Sequence, residues 1–292
     1  MPEVSVKAPE PRYVAPTLRD QIGRIWAPVL INGKGPFRLV LDTGANHSAV
    51  TVAVAQALGI PLDDSPPVYL RGVTGSATVP SIHVENLLIG DLLIQSPVLP
   101  IVPNALGGAQ GVLGTDGLLD KRIFIDFEHD RITIKRSRGW PAQYGFVTIP
   151  LSITDNRLLT TSARVASIKV TAIIDTGAES SIANLALRRE LLRHRSRYKF
   201  TNDVVLGATD DESQGQDAAF PPIYLGDVQI RGAHITTGDL QIFDVWNMTS
   251  KPAILIGMDA LGTLDELVID YRLHQLQILT HHRGFAEDWP RS

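Results

Sequence analysis

Apolar runs of about four to eight residues recur along most of the chain, many of them alternating with polar positions, a length and period that predict strands rather than helices. IWAPVLI, FRLVL, ATVPSIHV, FIDF and RITI are examples, and Gly, Pro and Asn punctuate them. INGKGPF between two such runs predicts a hairpin over residues 23–41, because Asn and Gly accept the positive φ that tight primed turns require. The second strand of that hairpin ends at Asp42. Helical spacing is scarce and falls after two Asp-Thr-Gly tripeptides, in TVAVAQALG and in IANLALRRELLRHRSRY, with Gly59 and Pro61 stopping the first. The expectation is an all-β protein with a few short helices.

The apolar run ending in Asp-Thr-Gly-Ala occurs twice, as LVLDTGANHSAV at Asp42 and as AIIDTGAESSIA at Asp175. Other features pair in the same order: LRGVTGS with VLGATDD, GDLLI with GDVQI, GVLGTDGL with ILIGMDAL, and FIDFEHDRITI with VIDYRLHQLQI. The separation grows steadily, from 133 residues at the aspartates to 143 between Gly114 and Gly257, as insertions into a second copy require. Matched features in matched order predict a two-fold internal repeat. Its boundary falls near RSRGWPAQYGF, residues 136–146, giving lobes over 23–140 and 145–282, an extended proline-rich arm or linker over 1–22, and a tail over 283–292.

A chain of 292 residues accommodates two such units, each with a core of its own. The net charge of −4 and pI near 6.1 supply no basic field for nucleic acid, so none is expected as a partner. With no cysteine, there is no disulfide framework, thiolate nucleophile or Cys-ligated zinc. The first twenty residues hold no apolar core of a signal peptide and no membrane span; an exported form that has lost a leader is preferred over a cytoplasmic one.

An aspartate ending a buried strand is costly when ionised without partners. If the two halves pack about a pseudo-dyad through their Asp-Thr-Gly turns, Asp42 and Asp175 meet, and two close carboxyls hold one proton between them. The ionised partner then draws a proton from water while the protonated one polarises a carbonyl. Gly44 and Gly177 allow close backbone approach, Thr43 and Thr176 can hydrogen-bond across the interface, and Ala45 and Ala178 leave room for substrate.

On these motifs the chain resembles the aspartic proteases, and among them the retroviral-type, retropepsin-like group, with two copies fused in one chain as in forms of bacterial type. The likeness rests on Asp-Thr-Gly-Ala at 42–45 and 175–178, a Gly-centred turn after each, and the apolar-apolar-Gly motifs VLG at 112–114 and LIG at 255–257, and it spans roughly 23–282. It implies a bilobal, pseudo-two-fold acid protease fold and a peptide endopeptidase that needs no cofactor and no metal. It also implies flap tips at Gly72, Val73, Thr74 and Gly75 and at Gly207, Ala208 and Thr209, substrate contacts from Asn46 and Glu179, and a short helix after each apolar-apolar-Gly motif. The Arg that follows that motif in the viral enzymes is Thr115 and Met258 here, so its bracing role passes to Asp116 and Asp259, expected to cap the helix. No Tyr occupies either flap tip, and pepsin-type flap contacts are not carried over.

The competing class is an inactive peptide-binding or assembly module with the same fold. A monomer with an internal pseudo-dimer is expected, with a homodimer as the alternative. The cations of RRELLRHRSRYK read as a solvated helix face, His47 beside the first motif as a surface residue, and NHS and NMT as chance matches to the glycosylation pattern.

Overall fold

The computed structural model describes residues 25–90, 92–103, 108–194, 198–206 and 212–280. The first lobe contains β1 (Trp26–Ile31), β2 (Lys34–Leu41), β3 (Ala49–Thr51), α1 (Val52–Leu58), β4 (Ser65–Arg71), β5 (Ser76–His83), β6 (Asn86–Ile89), β7 (Leu92–Gln95), β8 (Val98–Val102) and β9 (Gly111–Leu113). Next come β10 (Lys121–Asp126), β11 (Arg131–Arg136) and β12 (Val147–Pro150). The second lobe contains β13 (Ser152–Ile153), β14 (Leu159–Val165), β15 (Ile168–Ile174), β16 (Ile182–Asn184), α2 (Leu185–His194), β17 (Thr201–Leu206), β18 (Glu212–Ala219), β19 (Ile223–Leu225), β20 (Val228–Ile230), β21 (His234–Gly238), α3 (Gln241–Val245), β22 (Ala253–Ile256) and α4 (Met258–Leu261). Last are β23 (Glu266–Asp270) and β24 (Gln275–Leu279).

Each lobe is one curled sheet, and the two sheets carry their strands in the same order. The first runs β4-β5-β8-β3-β9-β2-β1-β6-β7 and the second β17-β18-β21-β16-β22-β15-β14-β19-β20, with β13 added on β14. Direction matches as well: β2–β9 and β15–β22 are parallel, as are β3–β8 and β16–β21. A third sheet, β11-β10-β23-β24-β12, joins the halves, with β10 antiparallel to β23. The fold is therefore all-β and bilobal, with four short helices among the described residues.

Local chemistry explains the strands that lead to the aspartates. The β1–β2 hairpin turns at Asn32 and Gly33, both at positive φ (51° and 71°), as its sequence predicts. The matching β14–β15 turn is made by Ala166 and Ser167, with Ala166 at φ 51°. The ends of β2 and β15 are continuously apolar because neighbouring strands lie on both sides and other layers cover both faces; Leu39, Val40, Leu41, Ala172, Ile173 and Ile174 are all buried. Apolar residues of both lobes and of the joining sheet, among them Leu39, Ile82, Ile125, Ile174 and Leu267, form one continuous core.

Three expectations need correction. Residues 182–184 of the second helical stretch are strand β16, and α2 begins only at Leu185. Ile182 and Ala183 are buried between β21 and β22, and Asn184 caps the helix by accepting the Leu187 amide at 2.9 Å. A helix follows the apolar-apolar-Gly motif only in the second lobe; in the first, Gly117 sits at φ 78°, a left-handed geometry that ends a helical turn before it can propagate. Asp116 precedes no helix, and Asp259 is not the N-cap of α4, which is Gly257; Asp259 accepts the first-turn amide of Ala260 at 2.9 Å, and both carboxylates also hold the serine partners described below.

Candidate active site

The two Asp-Thr-Gly turns meet where the lobes join. Asp42 leaves β2 with its amide on the Leu113 carbonyl (3.0 Å), and Asp175 leaves β15 with its amide on the Ile256 carbonyl (3.1 Å). Each carboxylate then accepts two amides of its own turn through Oδ1. Gly44 and Ala45 donate to Asp42 at 2.8 and 2.9 Å, and Gly177 and Ala178 donate to Asp175 at 2.8 and 3.2 Å. Both aspartates are thus oriented by backbone rather than by flexible side chains.

The threonines tie the turns together reciprocally. Thr43 Oγ1 donates to the Ile174 carbonyl and accepts the Thr176 amide, at 2.7 and 3.1 Å. Thr176 Oγ1 donates to the Leu41 carbonyl and accepts the Thr43 amide, at 2.7 and 3.2 Å. Both threonines have no exposed surface, so each hydroxyl and amide needs this partner across the junction. The lattice brings the turns so close that a Cβ added to Gly44 would stand 2.7 Å from Asp175 Cγ, and one added to Gly177 would stand 2.5 Å from Asp42 Oδ1. Only glycine fits at either position.

Asp42 is half-buried, whereas Asp175 retains 6% of its surface. Burial raises the Asp175 pKa well above the ordinary carboxylate range, and the charge of Asp42 and the hydrogen bond the two carboxyls share push it the same way against the two turn amides. Tyr271, fully buried, has its hydroxyl pKa raised by burial and by the charge of Asp42.

Beneath each turn sits a matched serine–aspartate clasp. Asp116 accepts the Ser48 hydroxyl (2.8 Å) and amide (3.0 Å), and Ser48 Oγ in turn accepts the Gly114 amide (3.1 Å). Asp259 accepts the Ser181 hydroxyl (2.7 Å) and amide (3.0 Å), and Ser181 Oγ accepts the Gly257 amide (3.0 Å). Bracing below the aspartates is therefore assigned to Ser48–Asp116 and Ser181–Asp259, with Thr115 and Met258 donating their amides to the carbonyls of Ala45 and Ala178 at 2.9 Å.

A cavity of about 540 Å³ opens over the pair and contains Asp42, Gly44, Ala45, Asn46 and Asp175. The β4–β5 hairpin covers it, with Gly72 and Val73 of the expected flap tip in its lining, while Thr74 and Gly75 stand outside it. Glu179 is exposed and lends its carbonyl to the Asp259 amide, and Ala178 packs on an apolar cluster beside Ile173 and Ile182; neither lines the cavity. Gly207, Ala208 and Thr209 lie outside the described residues.

The cavity also takes residues that sequence patterning did not single out: Asn156 from the turn before β14, Arg71 from the flap, and Ile242, Val245 and Trp246 from α3 and its end. The growing offset between the paired motifs signals extra residues in the second half, and they fall here. Residues 239–252 connect β21 to β22, against the shorter 103–110 between β8 and β9.

Among the described residues no group of three or more His, Asp or Glu is arranged to hold a metal, and no helix is long and apolar enough to cross a membrane. A second cavity of about 570 Å³ in the second lobe contains neither Asp42 nor Asp175, and its Asp203 and Asp217 are engaged by Thr236 and His234.

Residues 27–117 match the aspartyl protease family model, a span that includes Asp42, the flap and Gly114 and ends before Asp175. No curated protein matches the chain. The family match supports a peptidase acting on peptide substrate.

Proposed function

We propose that the chain is an aspartic endopeptidase of retropepsin-like type, built from two copies of one unit over 23–140 and 145–282, with Asp42 and Asp175 as its catalytic pair. The observation that carries this reading is the reciprocal threonine lattice, which holds two backbone-oriented carboxyls together where one of them resists ionisation. Such a pair keeps one proton across the pH range in which two isolated carboxyls would both have lost theirs. The deeper Asp175 holds it, and Asp42 is the base.

An extended peptide lies between the β4–β5 flap and the pair, in the manner of strand-type recognition. Asp42 takes a proton from a water molecule as its oxygen attacks the scissile carbonyl carbon, and Asp175 gives its proton to the carbonyl oxygen. The resulting diol collapses as Asp42 returns the proton to the amide nitrogen, the C–N bond breaks, and Asp175 recovers its proton from a diol hydroxyl. No covalent enzyme intermediate forms, and the pair finishes as it began. Activity should fall at low pH as Asp42 protonates and at high pH as Asp175 ionises, with the upper limb above the ordinary carboxylate range.

The test is cleavage of a denatured protein and of a peptide library between pH 3 and pH 8 by the parent, Asp42→Asn and Asp175→Asn. Each variant is expected to lose activity by about 10³-fold or more, since general acid–base groups contribute about 10²–10⁴ each and the two act as one unit. Cleavage that survives either substitution removes the intramolecular pair.

A further inference from the structure

Tyr271 follows β23 in the joining sheet, with its amide on the Lys121 carbonyl of β10 at 3.0 Å. Phe127 takes the matching place after β10, with its amide on the Asp265 carbonyl at 2.8 Å. Both side chains are buried in the continuous core, and they differ by one hydroxyl. That hydroxyl is itself buried and has no hydrogen-bond partner among the described residues. A buried donor left unbonded costs stability that the bare ring of Phe127 avoids, and polar groups kept at such a cost concentrate at functional sites.

The charge that reaches this hydroxyl is that of Asp42. Burial raises the Tyr271 pKa, and the charge of Asp42 acts the same way, so the phenol keeps its proton wherever a carboxyl pair works. An O–H with no fixed partner rotates, and it turns its positive end toward the nearest negative charge. In a dry core such a dipole is weakly screened, and it favours the carboxylate over the carboxylic acid. Among the described residues, the other titratable or charged side chains that face Asp42 are Asp175 across the junction and His47 and Arg71 in the cavity lining. Tyr271 stands outside that lining, so it acts on the pair from the core and not on the substrate.

We infer that Tyr271 is a positioning residue of the aspartate pair: its unbonded hydroxyl directs its hydrogen toward Asp42 and keeps that carboxyl the ionised member. Phe127, at the matching place, has no such dipole, so the bias is one-sided. It works in the same sense as the deeper burial of Asp175, which leaves the shared proton there. This inference rests on the peptidase reading for its catalytic consequence and on the hydroxyl alone for its electrostatic one.

The experiment compares the parent with Tyr271→Phe, which removes a single oxygen, and with Phe127→Leu, which disturbs the same sheet without touching a hydroxyl. Two readings are taken: the pH dependence of kcat/KM on a cleaved peptide, and the titration of the Asp42 carboxyl carbon by NMR, its signal identified by its loss in Asp42→Asn. Tyr271→Phe should move both the acid limb and the Asp42 midpoint to higher pH by about 0.5–1 unit, the equivalent of one neutral hydrogen bond, and leave the upper limb, set by Asp175, in place. Phe127→Leu should lower Tm and move neither. A limb and midpoint that stay or fall in Tyr271→Phe, or that move equally in Phe127→Leu, overturn the assignment, while cleavage by the parent leaves the peptidase reading standing. If the parent cleaves nothing, that reading fails and the carbon midpoint alone decides: a rise in Tyr271→Phe sustains the role of the hydroxyl, and no rise removes it.

Discussion

The two lobes carry their strands in the same order and differ in how each is fastened to the rest. Asp126 ends β10 and Asp270 ends β23, equivalent places in the two halves, and each accepts the amide three residues on. The carboxylate of Asp126 is otherwise met by His129 and Arg131 of its own half, the first exposed and the second partly exposed. Burial opposes ionisation of Asp126, and the His129 amide and ring together with Arg131 outweigh it and hold its pKa below the ordinary range. Asp270 has no exposed surface and is met across the joining sheet by Arg122 at 3.1 Å, with the Ser137 hydroxyl at 2.9 Å. One aspartate completes a turn, whereas its twin clamps the two halves. Residues at matching places in the two halves thus keep one backbone role while their side-chain partners differ, because turn geometry is local and charge pairing depends on what the fold brings near.

The comparison can be broken hardest at the glycines, where the lobes are still alike. Gly44→Ala and Gly177→Ala each drive a methyl into the opposite carboxyl, and peptide cleavage should drop by about 10²-fold or more in both, the scale for a roughly 1 Å displacement of reacting groups. A loss in only one of them would show that a single aspartate governs the geometry. Next in size is the clamp. Arg122→Ala strands a fully buried carboxylate and should cost about 3–5 kcal/mol in urea unfolding, whereas Arg131→Ala, at a partly exposed pair, should cost no more than about 1 kcal/mol. Equal costs would erase the distinction between clamp and turn.

The smallest effect concerns the aspartates themselves. Because the folded state raises the pKa of Asp175, its proton is retained on folding at pH values where the unfolded chain has lost it. Its presence therefore costs nothing below the unfolded carboxylate range, and stability is lost as pH rises from there through the folded pKa. Asp175→Asn should raise Tm at neutral pH, with the gain vanishing in acid; each kcal/mol relieved is read as about 2–4 °C. Asp42→Asn, at the half-buried member, should give a smaller gain, since burial is the main cause of the shift and remains at Asp175. A pH-independent difference would place the origin of any gain elsewhere.

Much of the fold was legible because its determinants are local. Asn32-Gly33 announces a primed turn, and the apolar runs before Asp42 and Asp175 announce buried strands. The turn at Ala166-Ser167 carries no such signal, and it is held by the register of β14 on β15 rather than by the preference of its residues. Strands β3 and β16 are three residues each, too short for a period to register, and the helical pattern that follows absorbs them. At the site, Asp42, Asp175, both threonines and both glycines were legible because their spacing repeats. Ser48–Asp116 and Ser181–Asp259 were half legible: the aspartates drew attention as caps, yet their partners lie 68 and 78 residues away. The five-residue α3 was hidden for the same reason, since only tertiary packing brings Ile242 and Trp246 over the aspartates.

The sheet that joins β10 to β23 has a further consequence. Asp42 and Asp175 meet within one molecule, so their encounter does not weaken on dilution, as it would between two separate chains. In a pair of identical subunits every codon change is imposed on both walls of the cleft at once. Here one wall can drift toward a new preference while the other keeps the grip that holds the centre together.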